Sequence, residues 1–293
     1  MTIEDGGLSG VAEKHTDLFD SPYLSEHYDL LLDNYFKTKV RDVPVYWDLF
    51  KQIESPNPVL LDIGTGTGRI LTGLMSEAAS EKVDVSDWTF IGLDISQHML
   101  DRAKKVTSIP PGGPQVHWTR GSALELDRVP LLDGGKTKAA LILFSAGAFS
   151  HLYEADQPEQ FLTQIAKVIE PNRGRACVSI GNSFMPDKSG KDAALPQIDG
   201  PTQIVSKEFP DIIYENRILS NETQGSTLTE NRVILVMKKA GGQVNVIERN
   251  HISTVLRLWT KVEFTQLASR LGFQVLSCLE GSEETYFTLR LPQ

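Results

Sequence analysis

Glycine stands at every second position of one short segment, Gly64-Thr65-Gly66-Thr67-Gly68, directly after the apolar run Val59–Ile63. Glycine lets backbone N–H groups approach a ligand closely and adopts positive φ angles without strain. A helical pattern begins at once at Arg69, and a helix N-terminus favours an anion. The spacing differs from the Walker pattern, since no Gly-Lys-Ser or Gly-Lys-Thr follows, and from G-x-G-x-x-G, whose third glycine comes one residue later. The segment is predicted to bind a ligand through its backbone.

A carboxylate, Asp94, ends the next apolar run at 90–93. An acid at the carboxyl end of the second strand of an α/β fold can accept hydrogen bonds from both hydroxyls of a ribose. On its own, Asp94 is equally well read as a helix cap or a solvated strand end. Together with the glycine turn on the preceding strand, it favours a ribose-binding site.

The elements that must position these residues are short apolar strands alternating with longer helical patterns. Strands are predicted at 59–63, 89–93, 115–119, 139–144 and 175–180, with helices at 69–79, 97–106 and 158–169. Two last strands are predicted at 273–279 and 285–291. Continuous apolar strands separated by helices indicate a parallel sheet covered on both faces. The predicted fold class is a doubly wound, Rossmann-like α/β fold with a seven-stranded sheet.

The segments outside this alternation divide the chain further. Residues 1–57 are predicted to form an N-terminal tail and a helical lid, and residues 58–182 the core. Residues 183–258 alternate apolar and polar side chains after a loop rich in Pro and Gly, which predicts an inserted antiparallel lid. Residues 259–293 are predicted to complete the core with a helix and an edge hairpin. The helix carries a capping box in which Glu263 lies three residues after Thr260.

Four segments together resemble the class I S-adenosylmethionine-dependent methyltransferases. They are LLDIGTGTGR, GLDISQHMLDRAKK, LILFSAGAFSHL and IAKVIEPNRGRACVSI, and the resemblance runs from about Tyr28 to the C-terminus. The inserted segment, the phrase ERNHISTVLRLWTKVEFTQLASRLGF and the pair Tyr28-Asp29 are similar to small-molecule members, including amino-sugar N-methyltransferases and glycine N-methyltransferase-like enzymes. The resemblance implies S-adenosylmethionine as cofactor and a small-molecule acceptor, methylated on N or O.

The resemblance also implies a set of cofactor-binding residues. They are Asp62, Gly64, Thr65, Gly66, Gly68, Asp94, Ile95, Met99, Gly121, Ser122, Ala123, Phe144 and Ser145. Within this set, Asp62 is expected near the amino group of the methionine part, and Ile95 and Met99 on the adenine. Ser122 stands where the family commonly has an acid that contacts the adenine amine, so Glu125 or Asp127 is a candidate substitute.

Two residues are candidates for a catalytic role. His151 follows the fourth strand of the core, where the mouth of an open α/β sheet lies, and its ordinary pKa range suits proton removal near neutrality. The alternative is a histidine that only caps or braces the loop. Tyr28 is a candidate lid residue or acceptor-orienting hydroxyl, and its alternative is an ordinary aromatic of an amphipathic helix.

Composition and charge exclude several classes. The net charge of −9 and the absence of a basic run disfavour a nucleic-acid partner, and no eighteen-residue apolar stretch indicates a membrane span. No metal-binding cluster is expected, Cys177 and Cys278 are predicted to be buried free thiols, and the polar N-terminus predicts a cytoplasmic protein.

Two alternatives stay open: a cofactor-binding member of the fold that does not methylate, and, less favoured, a nicotinamide-dependent oxidoreductase. The oligomeric state and the acceptor are not predicted.

Overall fold

The structure is a computed structural model that describes residues 13–15, 19–186 and 202–293. Its strands are β1 (Glu13–His15), β2 (Val59–Ile63), β3 (Thr89–Asp94), β4 (Gln115–Arg120), β5 (Leu141–Phe144), β6 (Arg175–Gly181), β7 (Thr202–Val205), β8 (Ile212–Gln224), β9 (Thr227–Ala240), β10 (Gln243–Arg257), β11 (Gln274–Glu280) and β12 (Glu284–Arg290). Its α-helices are α1 (Pro22–Tyr35), α2 (Val43–Phe50), α3 (Arg69–Glu81), α4 (Gln97–Val106), α5 (Gln157–Val168) and α6 (Lys261–Arg270).

Seven strands form the core sheet in the order β11-β12-β6-β5-β2-β3-β4. The five strands from β6 to β4 are parallel, and β12 pairs antiparallel with both β6 and β11. The strand order reverses between β2 and β5, and ligands of open α/β sheets bind outside the carboxyl ends of the strands at such a point. The predicted doubly wound, seven-stranded fold class is confirmed.

Apolar side chains cover both faces of this sheet, as its buried strands require. On one face, Leu61, Ile142 and Val178 pack beneath α5 and α6. On the other, Leu60 and Leu143 pack against aromatic side chains of α2 and against α3. The layers fix the strand ends, and therefore the loops that follow them, in place.

A second sheet, in the order β1-β10-β9-β8-β7, is built mainly from the insertion after β6. Even-numbered positions of β9 face α1, since Ile234 packs with Leu24 of that helix and with Ile252 of β10. We call this the inner face of the inserted sheet. The opposite, outer face carries Val233, Leu235 and Met237.

The N-terminal helices are interrupted near Asp42. Helix α1 continues as a π-helical turn, Phe36–Val40, and ends at Arg41, whose φ is 52°. Helix α2 then begins with Pro44 in its first turn, where the missing N–H costs nothing. The capping box predicted for the C-terminal helix α6 is present.

Strands β8 and β9 run on to a tight turn at Gly225, whose φ is 59°. Cys177 is buried as predicted, but Cys278 is exposed, because β11 is the edge strand of the sheet. Both thiols are free. Of the predicted N-terminal tail, residues 1–12 and 16–18 lie outside the described residues, as do 187–201 of the loop that opens the insertion.

Candidate cofactor and acceptor site

The turn between β2 and α3 requires its glycines. Gly64, Gly66 and Gly68 have φ angles of 65°, 55° and 79°, values in the left-handed region that other residues rarely adopt. A Cβ on Gly68 would also lie 2.5 Å from the Trp118 ring, which packs beneath the turn. At Gly66 a Cβ would meet nothing within 4 Å, so the turn presents open space at that position.

Asp94 lies directly beside this turn. Its carboxylate accepts hydrogen bonds from the backbone N–H of Gly66 at 2.8 Å and of Ser96 at 2.9 Å. Burial raises the pKa of Asp94, while these hydrogen bonds favour its ionised form. The two sequence features expected to bind a nucleoside therefore contact each other.

Asp62, the last but one residue of β2, carries a fully buried carboxyl group. Its Oδ2 accepts a 2.7 Å hydrogen bond from the Thr65 hydroxyl, and its Oδ1 has no hydrogen-bond partner within the described part of the chain. Burial raises the pKa of Asp62 to about 7. Thr65 itself offers no free amide, since its N–H donates to the Leu93 carbonyl at 2.9 Å.

Some of the residues after β4 lie beside Asp94, whereas others lie on the surface. Gly121 donates its N–H to the Asp94 carbonyl at 3.0 Å, which places Gly121-Ser122-Ala123 beside the acid. The Ser122 hydroxyl accepts from the Leu124 N–H at 3.1 Å. The candidate substitutes Glu125 and Asp127 instead pair with the cations Arg128 and Lys167 on the surface.

The two residues expected on the adenine are placed differently. Ile95 is 68% exposed, whereas Met99 is 2% exposed and belongs to the buried face of α4. Ser96 caps that helix by accepting a hydrogen bond from the Met99 N–H, which directs the helix and its Met99 side chain inward. Ile95 is thus accessible beside Asp94, whereas Met99 lies in the interior, and the contact of either residue with the adenine stays a prediction.

The loop after β5 carries Phe144, Ser145 and His151. Phe144 and Ser145 are buried at the strand end, and the Phe144 ring packs on Phe161 with centroids 4.4 Å apart. Ala146 then adopts a φ of 56°, a strained value for a residue other than glycine. His151 ends a 3-10 turn, Ala148–His151, with its side chain exposed. Desolvation by the surrounding protein nevertheless lowers the pKa of His151.

Helix α1 covers the glycine turn from above. The Tyr28 ring contacts Phe19 edge to face with centroids 5.3 Å apart, and the Ser96 hydroxyl donates to the Phe19 carbonyl at 2.7 Å. Burial raises the pKa of Tyr28 to about 12, so its hydroxyl is protonated at neutral pH. Tyr28 is therefore a hydrogen-bond donor in this site and not a base.

Polar residues that the sequence did not single out complete the site. Glu284, the first residue of β12, pairs with Gly181 at the carboxyl end of β6 and is 5% exposed. Its Oε2 has no partner among the described residues, and burial raises its pKa to about 7. Arg69 forms a bidentate ion pair with the buried Asp42, both contacts being 2.7 Å. No sequence motif marks Glu284, because only strand pairing brings it to the carboxyl edge of the sheet.

The residues present fit S-adenosylmethionine. The open space at Gly66 and the buried carboxylate of Asp94 suit a nucleoside, and the unpartnered Oδ1 of Asp62 suits a donor such as an amino group. Among the described residues, no helix is long and apolar enough to cross a bilayer.

Comparison with known proteins agrees with the fold. Residues 60–172 match a family model described as a methyltransferase domain. N-methyltransferase FrzE of Cladobotryum sp is 28% identical over 289 residues, covering 96% of this chain and 98% of that protein. Two solved structures share the fold. The sugar N-methyltransferase KedS8 of Streptoalloteichus sp has a TM-score of 0.62 and 13% identity, covering 100% of this chain and 99% of that one. CalS10 of Micromonospora echinaspora, an amino pentose methyltransferase, has a TM-score of 0.59 and 15% identity, covering 94% and 99%.

The methyltransferase-domain match at 60–172 and the shared fold identify an S-adenosylmethionine-dependent methyltransferase. The chain carries the methyltransferase domain at 60–172 and is an enzyme of that class, with S-adenosylmethionine as its cofactor. The nicotinamide-dependent alternative has no support from these matches.

Proposed function

We propose that the protein methylates the nitrogen of a small-molecule amine. The observation that carries this proposal is the similarity to an N-methyltransferase over 96% of the chain, which extends beyond the domain at 60–172 to α1 and the inserted sheet. Helix α1 and the inserted sheet lie outside the cofactor core. They are the parts of the protein that select the acceptor. The solved relative CalS10 is involved in calicheamicin biosynthesis, which supports a role of this protein in secondary metabolism. A cytoplasmic location stays a prediction from the sequence.

The proposed cofactor site consists of the residues named from the sequence that meet at the carboxyl edge of β2, β3 and β5. Asp94 binds the ribose, Asp62 the amino group, and the turn from Gly64 to Gly68 approaches the ligand through its backbone. S-adenosylmethionine supplies a methyl group already activated on a sulfonium, so the transfer is an in-line displacement. The protein's task is then to position the acceptor and exclude water.

Residues 1–57 and 183–258 are proposed to act as lids over this edge. Helix α1 contacts both the glycine turn, through Asp29 and Thr67, and the inserted sheet, through Leu24. His151, whose pKa is lowered by its surroundings, is neutral near pH 7 and is proposed to accept the proton that an amine loses. Tyr28 is proposed to orient the acceptor by donating a hydrogen bond.

The test is mass spectrometry of a metabolite extract incubated with the protein and methyl-deuterated S-adenosylmethionine. A deuterated methyl group gained by an amine, with equivalent loss from the donor, is expected, and fragmentation assigns the methylated atom. The Asp94→Ala variant serves as the matched control and is expected to give no labelled product. Label on oxygen alone would contradict nitrogen as the acceptor atom. Cofactor binding without any transfer would support the non-methylating alternative.

A further inference from the structure

The inner face of the inserted sheet carries a buried ion pair, Glu230 with Arg232, that the proposed mechanism does not use. Both residues lie on β9, and they share the face of Ile234 because strand side chains alternate with a period of two. Glu230 is fully buried, and the Arg232 side chain is 18% exposed. We call these two residues the roof pair.

The roof pair is incompletely hydrogen-bonded. Glu230 Oε2 and Arg232 Nε have no hydrogen-bond partner within the described residues. Two further buried atoms of the same interface share this property, namely His27 Nε2 of α1 and Asn216 Oδ1 of β8. Asn216 pairs with Ile234 and so faces the same side of the sheet. Burial, together with the charge of Arg232, lowers the pKa of His27 to about 4. Buried polar atoms without partners are uncommon, and several at one interface indicate a ligand site.

The roof pair also lies on the strand pair β9–β10, and β10 contacts the turn that carries His151. Arg257, at the end of β10, stacks on Trp259, whose ring is 4.9 Å from that of Phe149 in the turn that carries His151. Glu230 pairs with Thr254, three residues before Arg257. At about 3.3 Å per residue, this places Glu230 roughly 10 Å along the strand from the end of β10, a strand that contacts the turn carrying His151. A small molecule spans such a distance.

We propose that the roof pair binds a hydroxyl substituent of the acceptor and so determines which amines are methylated. The charges of Glu230 and Arg232 balance, and the His27 ring is neutral, so the interface suits an uncharged group. A hydroxyl donates to Glu230 Oε2 and accepts from Arg232 Nε, which satisfies one atom of each residue. This inference rests on the proposed function, since it concerns the acceptor of that reaction.

The test compares paired amine probes that differ by one hydroxyl group, such as trans-2-aminocyclohexanol with cyclohexylamine, and further cyclic and open-chain pairs. Binding is measured by ligand-observed NMR titration on the protein with S-adenosylhomocysteine bound, so no turnover is needed. The wild type is expected to bind the hydroxylated member of at least one pair about tenfold more tightly, as one hydrogen bond to a charged group provides. The Glu230→Gln variant is expected to lose most of this preference.

The sheet provides a matched control on its outer face. Glu215 and Arg217 of β8 form an ion pair with the same two-residue spacing, and they oppose Leu235 and Val233. The Glu215→Gln variant is expected to keep the full preference. If Glu230→Gln proves unstable, the double variant Glu230→Gln/Arg232→Met removes both charges together, which buried pairs often tolerate.

The possible outcomes separate failure of the roof-pair proposal from failure of the proposed function. The proposal would be overturned if the wild type showed no preference for the hydroxylated amine in any pair, either because both members bind equally or because neither binds. An unchanged preference in the folded Glu230 variants, or an equal loss in Glu215→Gln, would do so as well. A preference that depends on Glu230 without methylation of any amine would support the roof pair and contradict the proposed function, so the two failures are distinct.

Discussion

The Thr67 hydroxyl donates a 2.6 Å hydrogen bond to Oδ1 of Asp29, which fixes helix α1 directly to the glycine turn. The other oxygen of Asp29 accepts from Arg102 of α4 at 2.5 Å. One carboxylate thus connects the helix above the site with two elements of the core. The position of Tyr28, the neighbouring residue, depends on this connection.

We expect the Asp29→Ala variant to bind S-adenosylmethionine about tenfold more weakly, because the loss of both hydrogen bonds frees α1 from the turn. Isothermal titration calorimetry measures the affinity directly. Asp33→Ala, one helical turn later, is the control, since Asp33 pairs only with the exposed Lys37 among the described residues. Equal affinities for the two variants would show that the connection does not contribute to binding.

The Asp94→Ala variant is expected to abolish measurable binding of the nucleoside while the fold survives. The carboxylate is the acceptor for the ribose hydroxyls, whereas its own hydrogen bonds to Gly66 and Ser96 link loops and not core strands. Calorimetry reports binding, and far-ultraviolet circular dichroism reports the fold. Asp101→Ala, on the exposed side of α4, should bind as the wild type does. Unchanged affinity in Asp94→Ala would contradict the ribose assignment.

The sequence predicted the core strands to within one or two residues, because glycine and proline mark their ends and their apolar runs are continuous. It also predicted that Asp94 lies beside the glycine turn, since both features follow adjacent parallel strands. Glu284 was not predicted, because it reaches the site only through pairing with Gly181, a residue about a hundred positions away. Met99 was placed on the ligand by its motif, whereas the helical face that it occupies is decided by packing.

Binding of S-adenosylmethionine is expected to release a proton from Asp62 near pH 6.5. In the free protein the pKa of Asp62 is raised to about 7 by burial, so the carboxyl is largely protonated there. An ammonium group beside it favours the ionised form and lowers that pKa. Calorimetry in buffers of different ionisation enthalpy measures the released proton.

The Asp62→Asn variant should show no such release, whereas Glu284→Gln should retain it. The second variant is needed because Glu284 also has a pKa of about 7. Release that persists in Asp62→Asn and disappears in Glu284→Gln would assign the proton to the other carboxyl.

For His151→Ala we expect retained cofactor affinity and a turnover at least tenfold slower, since a general base contributes to the transfer and not to nucleoside binding. Because desolvation by the surrounding protein lowers the pKa of His151, the wild-type rate should fall only below the pH range in which an ordinary histidine gains its proton. Steady-state kinetics with a methylated amine and a pH profile test both points. An undiminished rate in the variant would leave His151 with a structural role.

The last prediction concerns Glu284 and the free energy of unfolding. The pKa of this buried carboxyl is about 7 in the folded protein, against 4.5 for an ordinary glutamate. Between these two values the folded state holds more protons than the unfolded state, so stability falls as pH rises through that window. Above about pH 7 the full cost is present, on the order of 3 kcal/mol.

The Glu284→Gln variant removes the charge and keeps a group that can bond the Ser179 hydroxyl, which Glu284 contacts. It should therefore be more stable than the wild type near pH 8, and the difference should shrink towards pH 5. Urea denaturation at both pH values measures it. Glu283→Gln is the matched control, because Glu283 is the neighbouring residue and only half-buried, and it should show little change with pH. A pH-independent difference for Glu284→Gln would mean that the wild-type carboxyl is ionised throughout. This edge of the sheet would then have to hold a buried charge.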